Sequence, residues 1–284
     1  MLVLGGGYSG GHVTGLLRAL GTTVRCSRRS LSSPEADLVF DSTAGLIPTS
    51  RDLDGITHVL STIPPTTEGH DPVLTHLGSQ LKERSLTWVG YLSTTGVYGD
   101  QQGRWVSEDD PANPGQPRSQ RRHACEKAWL DSGLPVQILR LPGIYGPGRS
   151  VLDSLRTGTA RRILKADQVF CRIHVDDIAG ACLHLMHQAT AGQWPAIVNV
   201  SDDCPAAPQD LLKYGADLLS CELPNEELFE LASRSMSAMA RSFWSENRRV
   251  RNTLLCQQLG YVLLHPDFKA GLQDCLREEA QSRS

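Results

Sequence analysis

The chain has 284 residues, of which 40% are hydrophobic and 21% charged, so it has apolar material for a core and no compositional signature of disorder. Its length suits a main domain with a second, smaller one. A net charge of −3 argues against a nucleic-acid binder, which would carry a strongly basic face. The 23 Arg against 5 Lys reflect either gene composition or sites that need forked guanidinium donors, and composition alone leaves both open.

The chain ends and the cysteines indicate the cellular environment. No run of about 18 apolar residues is present, so we expect no membrane partner. Residues 1–4 lead directly into glycines and leave no room for a signal peptide, which favours a cytoplasmic protein. The eight cysteines show no CxxC pair and no metal-type spacing, so we expect reduced, mostly buried thiols and no metal site.

Strands alternate with helices over most of the chain. A short apolar strand at residues 2–4 is followed by a helical pattern from Ser9 to Leu20 and a second strand at residues 22–26. Further strand-like runs lie at 38–40, 58–63, 86–92, 136–141 and 197–200, and helical patterns lie at 73–81, 118–130 and 176–186. This alternation predicts an α/β fold with a doubly wound parallel sheet, the Rossmann fold.

The pattern changes after Arg149. Residues 161–174 resemble a hairpin that turns at Ala166-Asp167, and the last eighty residues are mostly helical in pattern. We therefore predict a Rossmann domain at 1–148, completed by about 168–203. A smaller, mostly helical C-terminal substrate lobe would consist of 149–167 and 204–284.

A glycine-rich turn follows the first strand. Gly5, Gly7 and Gly10 satisfy the GxGxxG pattern between a strand and a helix, which is the context that a dinucleotide site requires. Gly5 would permit the tight turn, Gly7 the approach of a pyrophosphate, and Gly10 the close packing of helix and strand. Tyr8 and Ser9 would present the helix N-terminus to the phosphates. The alternative is a glycine-rich turn without a ligand.

The end of the second strand indicates which dinucleotide binds. An NAD site usually carries an acidic residue about 20 residues after the glycines, and this chain has none before Glu35. It offers Ser27, Arg28 and Arg29 instead, and guanidinium groups suit a phosphate monoester. We predict NADP(H) in preference to NAD(H), with Arg28 as the main contact. The alternative is a solvated arginine turn with mixed cofactor use.

Five further blocks, in order along the chain, carry a family resemblance. With the glycine loop, the sequence resembles the short-chain dehydrogenase/reductase superfamily, in particular its extended and atypical members related to nucleotide-sugar epimerases. The resemblance implies a Rossmann domain with a small substrate lobe, a small-molecule substrate, a homodimer, and a cofactor lined by Pro64 and Pro142. The blocks are residues 93–100, 105–108 with Pro111, 139–149, 172–177 and 199–202.

The same resemblance implies hydride transfer assisted by a Ser/Thr and by a YxxxK pair. Thr94 aligns with the Ser/Thr, and Thr95 is the neighbouring candidate. The Tyr/Lys pair is missing, because Arg118 and Arg122 stand at those two positions. An arginine remains protonated and is a poor proton shuttle, so catalysis by the family's usual mechanism is in doubt.

Three other positions offer substitutes for the missing pair. His123 could titrate near neutral pH, but it lies beside the register, and a lone His on a helix is more often a surface residue. Asp71 resembles an acidic residue of the atypical branch and is our second catalytic candidate, although Asp before Pro72 is also a standard helix N-cap. Tyr145 would flank the nicotinamide, and we favour a packing role for it. His174, Asp176 and Asp177 are too few for a metal site, and we interpret the two carboxylates as caps or structural hydrogen-bonding groups.

Two functions fit these features. The leading interpretation is an NADP(H)-binding oxidoreductase or epimerase-like enzyme acting on a hydroxyl or ketone compound, with a nucleotide sugar as one candidate. The alternative is a non-catalytic NADP(H)-responsive sensor or scaffold that has kept the cofactor pocket and lost the Tyr/Lys pair.

Overall fold

A computed structural model describes residues 1–32, 36–192 and 194–282. The strands are β1 (Leu2–Leu4), β2 (Arg25–Arg28), β3 (Leu38–Val39), β4 (His58–Ser61), β5 (Trp88–Thr94), β6 (Trp105–Val106), β7 (Val136–Leu141), β8 (Gly143–Tyr145), β9 (Arg162–Leu164), β10 (Arg172–His174), β11 (Ile197–Asn199), β12 (Glu226–Leu228) and β13 (Arg249–Val250). The helices are α1 (Tyr8–Ala19), α2 (Pro72–Lys82), α3 (Pro117–Leu130), α4 (Val151–Arg156), α5 (Val175–Thr190), α6 (Pro208–Leu219), α7 (Phe229–Ser235), α8 (Ala238–Trp244) and α9 (Phe268–Ser282).

The main sheet has seven strands in the order β11-β7-β5-β4-β1-β2-β3, and all neighbours are parallel. The order runs outward from β1 in both directions, which places a crevice above the carboxyl ends of β1 and β4. The predicted doubly wound sheet is confirmed. The glycine loop and the residues that follow β4, β5 and β7 therefore meet at one edge.

Helices cover both faces of this sheet, as the helical periodicity predicts. On one face α1 and α5 bury apolar side chains such as Leu17 and Leu185 against the strands. On the other face α2 and α3 bury Leu77, Leu81 and Trp129. The central strands are apolar on both sides, which explains why they are continuous hydrophobic runs rather than alternating ones.

The predicted hairpin at 161–174 is wrong. The turn exists, with Asp167 in the left-handed region at φ 58°, but β9 pairs in parallel with β12 and β10 pairs in parallel with β8. Ile173 of β10 belongs to the core that α1 and α5 cover, and this draws β10 away from β9. Sequence spacing located the turn, and burial determined the strand partners.

Most of the cysteines lie in the interior, as expected. All eight cysteines are free thiols, and five of them are buried. Among the described helices, none combines the length and the apolar character needed to cross a bilayer.

Candidate functional site

Each of the three motif glycines has its own geometric role in the glycine loop. Gly5 has φ 99°, which a residue with a side chain rarely adopts. A Cβ on Gly10 would lie 2.2 Å from the Gly5 carbonyl oxygen, so only glycine allows α1 to pack this closely. A Cβ on Gly7 would meet no atom within 4 Å, which leaves open space above the N-terminus of α1. This is the arrangement that a bound pyrophosphate needs.

The residues at the end of β2 have different positions relative to this loop. The Ser27 hydroxyl is buried beneath the loop and accepts a hydrogen bond from the Gly5 amide at 3.0 Å, so Ser27 holds the loop in place. Arg28 passes over Gly6, where an added Cβ would lie 3.2 Å from its Nε. Arg29 is exposed. One guanidinium group, that of Arg28, therefore lies at the end of β2 beside the loop, and Arg29 follows it at the surface.

Tyr8 connects the glycine loop to the segment after β8. Its hydroxyl donates a hydrogen bond to the Pro147 carbonyl at 3.0 Å, and the Arg149 guanidinium lies over its ring. Together with Gly7 and Arg28, Tyr8 lines a groove of about 1350 Å³ that continues along α1 and α5. Ser9 follows in the first turn of α1 and is half-buried.

A second cavity, of about 770 Å³, opens above β5 and β7. Phe243, Trp244, Glu246 and Arg248 line one side of it and come from residues 204–282, which we call the small lobe. Three of the predicted residues, Pro64, Thr94 and Pro142, also line the cavity. The Thr94 hydroxyl oxygen accepts a hydrogen bond from the Gly96 amide at 3.1 Å. That bond uses an oxygen lone pair and leaves the hydroxyl hydrogen available to a ligand.

A buried carboxylate fixes α3 against the sheet and so sets which side chains reach the cavity. Glu126 accepts hydrogen bonds from Ser93 at 2.5 Å and from Arg140 at 2.7 and 3.1 Å. With α3 held in this register, Arg118 and Arg122 both line the cavity. The two positions where the family resemblance implies Tyr and Lys thus face the predicted reaction site.

Arg118 and Arg122 differ in how they are held. Arg122 donates to the Tyr91 hydroxyl and to the Leu92 carbonyl, both at 3.1 Å, so it ties α3 to the end of β5. Arg118 lies 3.7 Å above the centre of the Phe243 ring, in a cation–π contact with α8 of the small lobe. The Arg118 guanidinium thereby keeps its hydrogen-bond donors for another partner.

The cavity is strongly basic. Within the described residues, three of its six arginines have side chains with no hydrogen-bond acceptor, namely Arg118, Arg121 and Arg149. Among its described lining residues, Glu246 is the single carboxylate. A cavity with several unsatisfied guanidinium groups is suited to an anionic ligand. The six arginines are Arg118, Arg121, Arg122, Arg149, Arg172 and Arg248.

Asp71 is a helix N-cap, which is the simpler of the two roles that the sequence suggested, the other being catalysis. Its carboxylate caps α2 by accepting from the amides of Val73 and Leu74 at 2.9 and 3.0 Å, and it accepts from the Trp129 indole at 2.9 Å. It is buried, which raises its pKa, and it is not among the residues that line the cavity. The structure therefore gives Asp71 a structural role and gives no support to a catalytic one.

Tyr145 lies in the cavity wall but packs into the small lobe. Its hydroxyl donates to the Asp267 carbonyl at 3.3 Å, and its ring contacts Gly271 of α9. Burial raises the pKa of this phenol above its ordinary value, which makes it a poor proton donor or acceptor. This is the packing role expected from the sequence.

The segment at the start of α5 has neighbours that the sequence did not reveal. Asp177 accepts hydrogen bonds from the amides of Leu264 and His265, which makes it a structural hydrogen-bonding group as expected. Folding also brings His265 and Asp274 to within 4.8 Å of His174. Burial lowers the pKa of His174 to about 4. Burial also lowers the pKa of His265, but the hydrogen bonds and charges of Asp177 and Asp274 together outweigh it and raise that pKa.

Several cavity residues were missed by sequence reasoning. Arg121, Phe243 and Glu246 carry no motif signal, because they come from helix faces and a loop that become neighbours only on folding. Arg248, which comes from the basic segment 248–251, also lines the cavity.

Comparisons with known proteins agree with this geometry. A sequence profile described as the NAD dependent epimerase/dehydratase family matches residues 1–201. Protein YeeZ of Escherichia coli (strain K12) is 29% identical over 181 residues, which span 62% of this chain and 58% of that relative. The chain thus aligns with less than two thirds of the length of the curated relative.

Solved structures extend the similarity to the whole chain. A conserved protein of unknown function from Silicibacter pomeroyi is 39% identical, with a TM-score of 0.89 and coverage of 98% of both chains. The human epimerase family protein SDR39U1, solved with NADPH, has a TM-score of 0.72 at 16% identity over 97% of this chain and 99% of its own. At that identity the human protein shows a shared fold.

Proposed function

Because the chain belongs to the NAD-dependent epimerase/dehydratase family, we propose that it is an NADP(H)-dependent oxidoreductase or epimerase-like enzyme. Its substrate is an anionic hydroxyl or ketone compound, and a nucleotide sugar is one candidate. The observation that carries this proposal is the cavity above β5 and β7, where Thr94 lies among guanidinium groups that have no acceptor among the described residues. A phosphate or carboxylate supplies the missing acceptors.

Two residues of the cavity, Thr94 and Arg118, can assist hydride transfer without a Tyr/Lys pair. A bound nicotinamide dinucleotide supplies hydride chemistry. The Thr94 hydroxyl hydrogen, left available by the Gly96 contact, donates to the reacting oxygen. Arg118 cannot act as the proton shuttle, but its positive charge stabilises negative charge that develops on that oxygen. Proton exchange then occurs with solvent rather than with a tyrosine.

The preference for NADP(H) rests on the positive charge beside the glycine loop. Arg28 is the last residue of β2 and Arg29 follows it, and Arg28 lies over Gly6 in the groove that Gly7 and Tyr8 also line. A 2′-phosphate at this place would accept hydrogen bonds from a guanidinium, whereas the hydroxyl of NAD(H) would gain less. The proposed preference therefore rests on these guanidinium groups.

Replacing Arg28 tests the cofactor preference. We expect Arg28→Ala to weaken NADPH binding by about tenfold or more, and to leave NADH binding within about twofold, because a charge-assisted hydrogen bond contributes roughly 1.5–3 kcal/mol. Isothermal titration measures both affinities. Arg51→Ala, which removes an exposed arginine elsewhere on the surface, is the matched control. An equal loss for both dinucleotides would contradict the NADP(H) preference.

The sensor alternative is favoured by one specific observation, namely the arginines at both positions of the missing Tyr/Lys pair. Stereospecifically deuterated NADPH, incubated with the protein and a panel of phosphorylated ketones and sugar nucleotides, separates the two functions. Transfer of deuterium to any compound establishes the enzyme. Tight NADPH binding without transfer to any member of the panel favours the sensor or scaffold.

A further inference from the structure

Glu246 is a buried carboxylate with one oxygen that has no partner in the described part of the chain. It is 7% exposed, it lines the cavity, and its Oε1 accepts no hydrogen bond from any described residue. Leaving such an oxygen unpaired is costly, so its position in a cavity wall suggests that a ligand donor completes it. Its second oxygen, Oε2, accepts from Arg248 at 2.7 Å.

The surroundings of Glu246 fix this oxygen rather than letting it turn to solvent. Arg248 donates to both Glu246 and the Gly99 carbonyl, at 2.7 and 2.8 Å, which ties the carboxylate to the turn after β5. The Glu246 carbonyl accepts from the Gln168 amide at 3.0 Å, so the backbone is held as well. A rigid acceptor of this kind discriminates between ligands by whether they present a donor.

The positive neighbours of Glu246 indicate the rest of the ligand. The Arg118 guanidinium interacts electrostatically with Glu246, and its own donors have no partner within the described residues. Arg121, three residues further along α3, also lines the cavity and has no hydrogen-bond partner among the described residues. A ligand that satisfies all three must carry an anionic group and, beside it, a hydroxyl or N–H donor.

From this arrangement we propose that Glu246 is a specificity-determining residue. Its Oε1 accepts a hydrogen bond from a hydroxyl of a phosphate ester whose anionic group binds Arg118 and Arg121. This inference rests on the proposed function for the location of the substrate. It is tested without NADPH and without turnover, so either proposal can fail independently of the other.

Paired probes isolate the contribution of the hydroxyl groups. Affinities are measured by isothermal titration for glucose 1-phosphate against inorganic phosphate, and for UDP-glucose against UDP. We expect the intact protein to prefer the hydroxylated member of at least one pair by about tenfold, since a hydrogen bond to a charged acceptor is worth that much. Glu246→Gln should reduce this preference to about threefold or less and leave phosphate or UDP binding unweakened. Arg118→Gln should weaken both members of the pair.

Two further variants distinguish loss of the Glu246 hydrogen bond from a general effect on folding. Glu222→Gln makes the same charge change at an exposed position of the small lobe and should retain the preference. Gly115→Ala leaves the carboxylate intact but places a Cβ about 3.5 Å from Oε1, in van der Waals contact with it, and should also reduce the preference by crowding the approach of the ligand hydroxyl. The proposal is overturned if the intact protein shows no preference in either pair, or if the preference survives in both Glu246→Gln and Gly115→Ala.

Discussion

Buried carboxylates are treated differently in two regions of this protein. In the layer of α2 and α3 against the sheet, Asp71 and Glu126 each use both oxygens in hydrogen bonds to the protein. At the junction between the sheet and the small lobe, Glu246 and Asp202 each leave one oxygen unpaired among the described residues. In the first region every oxygen of the two carboxylates has a hydrogen-bond partner, whereas in the second region each carboxylate has one oxygen without a partner among the described residues.

The contrast separates structural from ligand-facing positions. A saturated carboxylate can stabilise the fold but has no capacity left for a ligand, and this describes Asp71 despite its resemblance to a catalytic residue. An unpaired oxygen acquires a functional meaning only when it faces a cavity. Glu246 does so, whereas Asp202 is not among the residues that line either cavity.

The largest effect is expected at Glu126. Glu126→Ala leaves Arg140, which is 3% exposed, as an uncompensated buried charge, so the free energy of unfolding should fall by about 3–5 kcal/mol. Urea denaturation measures this change. Lys127→Ala, at the exposed neighbouring position of α3, should change it by less than about 0.5 kcal/mol. Similar stabilities for the two variants would contradict the view that the first region is held by paired charges.

A smaller effect is expected at Asp71. Asp71→Ala removes the α2 cap and the partner of the Trp129 indole, which should lower the free energy of unfolding by about 2 kcal/mol. Asp71→Asn keeps a capping oxygen and should lose less. If Asp71→Ala keeps full stability but abolishes hydride transfer from NADPH, Asp71 is catalytic and the structural assignment fails.

The last expected effect is a pH dependence from Asp202, which is spread over several pH units. Burial raises the pKa of Asp202 to about 8, so the folded protein keeps this proton where the unfolded chain, with a pKa of 3.8, releases it. The folded state then binds more protons between these values, and its stability falls as pH rises, by at most about 1.4 kcal/mol per pH unit. Asp202→Asn should therefore gain stability relative to the intact protein between about pH 5 and about pH 7.5. The free energy of unfolding of both proteins is measured by urea denaturation across this pH range. If it changes with pH equally in the two proteins, Asp202 is ionised in the folded state.

The sequence predicted the cofactor half of the site better than the substrate half. The glycine pattern specified positions within a single strand–turn–helix unit, where backbone geometry follows from local sequence, and Gly5, Gly7 and Gly10 lie as expected. Thr94 and Arg118 were placed by ordered motifs, and both line the cavity. Arg121 and Glu246 had no such signal, because their roles depend on which elements pack against each other.

The sequence alone determined the parallel sheet and the glycine turn, since periodicity and a local motif encode them. Tertiary structure decided the parallel partners of β9 and β10, the capping role of Asp71, and the unpaired donors of Arg118, Arg121 and Arg149. Part of the surplus of arginine over lysine is thus located in the cavity wall. The physical reason is that burial and hydrogen-bond saturation belong to contacts between distant segments, which no single stretch of sequence contains.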